Sequence, residues 1–237
     1  MAMTGTLTKY WKDFVSLVYP VICKGCGTGV PGEGQLLCWH CISHLPLTGF
    51  EHKRDNLAED LFAGRLPLEK ATAFMFFGKG SLVQHLVHAV KYKGAKELGC
   101  FLGTMMGQAM LDAGWNNEID VIIPLPLNKK KELKRGFNQA FVIAEGIGVA
   151  MNKPVLEVAV IRSKFTETQT RKTREKRWEN VGDVFALQDN HELENKHVLL
   201  VDDVVTTGAT LEACGQVLLQ VPGIRISIAA LALASRI

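Results

Sequence analysis

The stretch HVLLVDDVVTTGAT at residues 197–210 constrains this chain more than any other part of it. Val198, Leu199, Leu200 and Val201 form a short unbroken apolar run, the pattern of a strand buried on both faces. Two adjacent carboxylates, Asp202 and Asp203, close that run, and Val204 and Val205 lead into Thr206, Thr207, Gly208, Ala209 and Thr210. Beyond them Leu211, Val217, Leu218 and Val221 return to helical spacing. Strand, acidic pair, hydroxyl-and-glycine turn and helix together suit a ligand carrying both a phosphate and a sugar. Backbone N–H groups at a helix start favour an anion, and a glycine lets the backbone approach it closely. Ionised carboxylates only accept hydrogen bonds, so they suit a vicinal diol or a magnesium ion. A nucleoside-triphosphatase strand also reads as an apolar run ending in two aspartates. The chain lacks the matching phosphate loop, since Gly78-Lys79-Gly80-Ser81 has neither the first glycine nor the spacing.

A second constellation lies near the start. Cys23 and Cys26, then eleven residues, then Cys38 and Cys41 form paired C-x-x-C knuckles among glycine-rich turns. Four thiolates so spaced converge on one tetrahedral point, and zinc is the expected ion. A pair of disulfides and an iron–sulfur cluster are the alternatives. His40 and His44 are expected around this site rather than in it, and Cys100 and Cys214 as small buried residues in helices. A closed four-cysteine site is structural, because it leaves no open coordination position.

The 237 residues suffice for one large domain, or for one ordinary domain with a small appendage. Hydrophobic content of 47% with 22% charge is that of a globular protein. No stretch reaches the ~20 apolar residues of a membrane span. Residues 7–21 are broken by Lys9, Lys12 and Asp13, so no signal peptide is expected, and the chain is read as cytoplasmic.

Along the chain, residues 4–19 carry an apolar stripe (Leu7, Trp11, Phe14, Val15, Val18) and are expected as a helix ended by Pro20. The zinc unit and this helix are assigned to residues 1–50, a polar connection to 51–70, and the main domain to 71–237. Within the main domain strands are expected at 71–77, 119–126, 154–161, 183–187, 198–201 and 225–233, with helices at 82–92, 96–113, 140–150 and 211–221. This alternation predicts an α/β domain with a mostly parallel sheet. Two basic segments, expected as loops, punctuate it. Residues 129–135 hold five basic side chains, and 162–180 hold seven (Arg162, Lys164, Arg171, Lys172, Arg174, Lys176 and Arg177), together twelve of the 27 in a chain of net charge +3. Ligands of α/β folds bind outside the carboxyl ends of strands, and both segments follow strands.

These residues carry a resemblance. VLLVDDVVTTGAT resembles the phosphoribosyl pyrophosphate (PRPP) motif of type I phosphoribosyltransferases at every position. PLPLNKKKELKRGFNQA, at residues 124–140, is similar to the pyrophosphate-loop region of the ComF family of competence proteins. Lys91-Tyr92-Lys93-Gly94, Gln169-Thr170, Arg177, Asn180-Val181 and the four cysteines follow in family order. Arg171-Lys172 departs from the small or apolar residues of many members.

The resemblance implies a type I phosphoribosyltransferase-like parallel sheet flanked by helices, with a small N-terminal four-cysteine zinc-binding unit. It implies magnesium-PRPP as ligand: Thr206, Thr207, Gly208, Ala209 and Thr210 around the 5-phosphate, Asp202 and Asp203 at the ribose hydroxyls, and Val204 and Val205 between them. Lys134 and Arg135 would face pyrophosphate, and Asp202, Asp203 and Arg135 would serve the chemistry. Gln169, Arg171, Lys172 and Arg177 would belong to a loop closing over the site. An implied role in DNA uptake during natural transformation goes with it, either as an active transferase or as a PRPP sensor, with single-stranded DNA or DNA-uptake proteins as partners. The rival expectation is a single-stranded nucleic-acid binding module, with Phe165 and Trp178 stacking on bases. No residue names the acceptor.

Overall fold

The computed structural model describes residues 22–162, 184–188 and 191–234. The helix expected at 4–19, and Phe165, Gln169, Arg171, Lys172, Arg177 and Trp178, lie outside these residues. The chain divides into two compact units, Met1–Leu45 and Pro46–Ile237. In the first, the second knuckle runs into the short helix α1 (Trp39–Ser43).

The second unit carries a four-stranded parallel sheet in the order β1-β6-β5-β2. Its strands are β1 (Ala71–Phe77), β2 (Val121–Pro124), β5 (His197–Val205) and β6 (Arg225–Ala234). Leu200 of β5 sits beside Ile123 of β2 and Ile228 of β6. Side chains of successive strand residues point to opposite faces. On one face Val198, Leu200, Ile226, Ile228 and Ala230 join a core with Leu211, Cys214, Val217 and Leu218 of α7 (Ala209–Leu218). The other face receives α3 (Leu82–Tyr92), α4 (Lys96–Asp112) and α6 (Gln139–Met151). Helices α4 and α6 cross at backbone distance: a side chain at Gly103 would collide with the carbonyl of Ile143, and one at Gly146 with that of Cys100.

Both sheet edges are covered, which blocks pairing with another chain. On one side Thr48 N donates to Phe74 O at 3.1 Å, and Phe76 N to Pro46 O at 2.9 Å. On the other, Ile122 N donates to Pro154 O and Leu156 N to Ile122 O, each at 2.9 Å.

Three expectations need correction. Residues 154–161 are not a strand of the main sheet: Val155 makes one bridge to Ile122, and only β3 (Val160–Arg162) is extended, antiparallel to β4 (Phe185–Leu187) in a separate pair. Its apolar residues are not a buried run, since Val158 is 63% and Ile161 41% exposed. Residues 129–135 form a helix, α5 (Lys129–Arg135), not a loop. Lysine, arginine, glutamate and leucine are all good helix formers. The Asn128 side chain accepts from Lys130 N at 3.0 Å, and Gly136, at φ 84°, ends the turn. The polar stretch 51–70 is built into the larger unit rather than linking two. It contains α2 (Leu57–Asp60), capped by Asn56, whose amide also donates to Ala71 O of β1 at 3.0 Å.

Candidate functional site

The acidic pair does not end β5. The strand runs on through Val205, with Asp202 beside Ala230 and Val204 beside Ala232. Thr206 and Thr207 then turn, and Gly208 adopts φ 74° as the cap of α7. Only glycine fits here on two counts. The left-handed backbone is strained for other residues, and a Cβ would lie 2.7 Å from Cε1 of Phe62. Gly208 has no side chain to cap α7; Thr207 Oγ1 accepts a long bond from Ala209 N at 3.5 Å, and the positive end of the helix faces the turn, where it favours an anion. The hydroxyl-bearing residues Thr206, Thr207 and Thr210 are exposed around it. Val205 is buried, so it offers a ligand backbone atoms only.

Alternation sends the two carboxylates to opposite faces. Asp203 meets Lys91 of α3, with Nζ 3.0 Å from Oδ1. Asp202 faces α7, where burial first and then the Asp202 charge push the Cys214 thiol up to about 12. Asp202 retains some exposed surface as a residue, yet protein closes around its carboxyl. Desolvation, and then the neighbouring Asp203 charge, push it up to about 7, against the opposing pull of the Asp203 N–H at 2.7 Å and of Lys91. Among the described residues two like charges share one ammonium, which leaves room for a cation or for hydroxyl donors.

Residues that sequence reasoning passed over hold this loop from behind. Arg65 donates through Nη1 to Thr207 O at 3.0 Å and pairs through Nη2 with Glu212 in the first turn of α7. Gln216 Nε2 donates to Arg65 O at 3.0 Å, and the Phe62 ring packs under Gly208. Contacts spanning some 150 positions leave no periodicity in the sequence.

The stretch Arg135–Gln139 is chiefly self-supporting. Asn138 caps α6 by accepting from Ala140 N at 3.1 Å, and donates to Leu125 O at 3.1 Å, fixing the segment after β2. Gln139 donates to Phe137 O and accepts from Arg135 Nη1 at 2.5 Å. The Arg135 guanidinium lies 5.3 Å from the centroid of the Tyr92 ring, the residue next to Lys91. Lys134 is exposed on α5 and has no ion pair among the described residues.

In the N-terminal unit the four sulfurs of Cys23, Cys26, Cys38 and Cys41 lie within 4.8 Å of one another, and all four are free thiols. Cys26 and Cys38 sulfurs are 3.8 Å apart, the edge of a tetrahedron whose metal–sulfur bonds are about 2.3 Å. Backbone N–H groups of Gly25, Gly29 and Cys38 donate to the Cys23 and Cys26 sulfurs at 3.2–3.3 Å. Those of Thr28 and Gly29 hold the Cys26 thiol down at about 5. The cluster fits a metal ion such as zinc.

Residues 132–236 match the family described as the phosphoribosyl transferase domain. Competence protein F of Haemophilus influenzae is 30% identical over 137 residues, 56% of this chain and 60% of that protein. DNA utilization protein YhgH of Escherichia coli (strain K12) is 28% identical over 138 residues, 57% and 60% of the two chains. Competence protein ComFC of Bacillus subtilis is 32% identical over 100 residues, 42% of this chain and 38% of that one. The chain thus spans 60% or less of the length of these relatives. Among solved structures, the glutamine PRPP amidotransferase from B. subtilis aligns at a TM-score of 0.41 and 18% identity, over 60% of this chain and 30% of that one. Adenine phosphoribosyltransferase from Saccharomyces cerevisiae gives 0.35 and 16%, over 74% and 87%. Likenesses this distant decide nothing, and the fold rests on the strand order β1-β6-β5-β2. With a phosphoribosyl transferase domain over residues 132–236, a four-cysteine cluster and relatives named competence protein F and ComFC, the chain is similar to the ComF family of competence proteins.

Proposed function

We propose that this chain binds magnesium-PRPP at the carboxyl end of β5 and transfers its phosphoribosyl group to an acceptor, releasing pyrophosphate, in a process serving DNA uptake. One observation carries the reading most: a helix start with glycine, Gly208, at its N-cap stands immediately beyond two partly buried, adjacent carboxylates. The N–H groups and threonine hydroxyls of residues 206–210 would hold the 5-phosphate. Asp202 and Asp203 would accept from the ribose hydroxyls and stabilise positive charge at C1 as the leaving group departs. Arg135, and Lys134 beside it, would face the pyrophosphate. The carboxylates and the ribose oxygens fit magnesium, which when bound would neutralise charge on the leaving group. Zinc in the four-cysteine unit would be structural. DNA uptake is drawn from the names of the relatives, competence protein F and DNA utilization protein YhgH.

The test is release of pyrophosphate from magnesium-PRPP, with cell extract as the source of acceptor. Turnover that disappears in Asp203→Ala supports a transferase. Binding without turnover leaves a PRPP sensor, and no interaction with PRPP at all refutes the reading.

A second reading draws on Trp39, 78% exposed on α1 beside the cysteine cluster. An exposed aromatic on a small metal-binding unit is a stacking platform for single-stranded nucleic acid. Affinity that falls steeply with salt and weakens in Trp39→Ala would support it. Affinity indifferent to both would remove it.

A further inference from the structure

We propose that Lys91 is a substrate-contacting cation that exchanges Asp203 for the pyrophosphate of PRPP when the sugar binds. This rests on the PRPP reading of the site and adds a residue to it. Among the described residues Lys91 makes the only ion pair with the acidic pair, at 3.0 Å, with its side chain 21% and that of Asp203 14% exposed. It stands in the last turn of α3, and the next residue, Tyr92, carries the Arg135 guanidinium over its ring at 5.3 Å. Two consecutive residues of one helix end therefore bring together the carboxylates of β5 and the end of α5, which are far apart in sequence. Lys91 and Arg135 thus converge on the carboxyl edge of the sheet.

Lys91 occupies an acceptor that ribose hydroxyls would need. Hydroxyls donating to Asp203 displace it, and the ammonium, a compact charge on a flexible four-carbon stem, has three donors to place on the nearest anion. The buried side chains Val83, Leu86, Val87 and Val90 keep α3 in place meanwhile. In the ligand-free site Lys91 screens two adjacent carboxylates; in the filled site it would screen the phosphates. Its affinity contribution therefore depends on whether the ligand carries pyrophosphate.

The experiment compares magnesium-PRPP with ribose 5-phosphate, which lacks the pyrophosphate, by calorimetry on the full chain as wild type, Lys91→Met and Lys91→Arg. Loss of one charge-assisted contact predicts ~10- to 100-fold weaker PRPP binding in Lys91→Met. Ribose 5-phosphate affinity should be unchanged or tighter, because Asp203 is freed, and Lys91→Arg should restore most of the PRPP affinity. Equal weakening toward both ligands would show that Lys91 only holds Asp203 in place, and overturns the proposal. Unchanged PRPP binding in Lys91→Met overturns it too. If wild type binds neither ligand, the PRPP reading itself falls. Should Lys91→Met fail to fold, Lys91→Gln, which keeps a polar head without charge, is judged by the same ratio.

Discussion

Asp202→Asn should stabilise the ligand-free protein at neutral and alkaline pH, and the gain should vanish in acid. The side chain keeps its shape and its oxygen, so the hydrogen bond from Asp203 N survives the change. What is lost is an ionisation that the fold resists, with the carboxyl pushed up from 3.8 to about 7 by burial and by Asp203. Below the unfolded value both states hold the proton and the group costs nothing. Between the two values the native state keeps a proton that the unfolded chain has released, so wild-type stability falls as pH rises through this window. Crossing each pH unit of that window costs about 1.4 kcal/mol, which sets a ceiling of ~4 kcal/mol by pH 8. Residual solvent around Asp202 and its coupling to Asp203 should reduce this to ~1–3 kcal/mol. Urea unfolding can be followed by tryptophan fluorescence, since Trp115 is buried. Run at several pH values between 4 and 8, in one salt and without PRPP, it reads the gap between variant and wild type. A gap that widens with pH and levels off near pH 7–8 is expected. A gap independent of pH, or a variant progressively less stable as pH rises, would refute the reasoning. Active sites commonly hold such strained charges, because the ligand relieves them.

Other consequences are as direct. Gly208→Ala forces a left-handed backbone onto a residue with a Cβ 2.7 Å from Phe62; a stability loss of ~1–3 kcal/mol is expected, with weaker phosphate binding. Wild-type melting behaviour would contradict it. Gly146→Ala drives a methyl into the Cys100 carbonyl where α4 and α6 cross, and overpacking of this kind should cost ~1–3 kcal/mol in urea titrations without altering ligand specificity. Cys38→Ser should release the metal and loosen the N-terminal unit, as read by metal analysis and proteolysis. A metal-free parent protein would overturn that expectation.

How much of this was legible in the sequence depends on the range of the interactions. β1 and α3 stand where the apolar pattern puts them, because a short apolar run and an apolar stripe at helical spacing are local signals. The 129–135 segment was hidden by its charge: expected as a basic loop, it is a capped helix of good helix formers. Residues 154–161 misled for the opposite reason, since the exposed Val158 and Ile161, beside the buried Ala159 and Val160, imitate one continuous buried strand. At the candidate site the motif was visible as spacing. Its supports, Phe62 and Arg65 behind the loop and Lys91 against Asp203, come from elsewhere in the chain and are fixed only by packing.

The central claim is that the end of β5 is a PRPP site, and calorimetric titration of magnesium-PRPP into the purified chain tests it most directly. Saturable binding to one site per chain is expected, abolished or greatly weakened by Asp203→Ala while the variant stays folded. Absence of binding to the wild type, or an affinity that Asp203→Ala leaves unchanged, would contradict it.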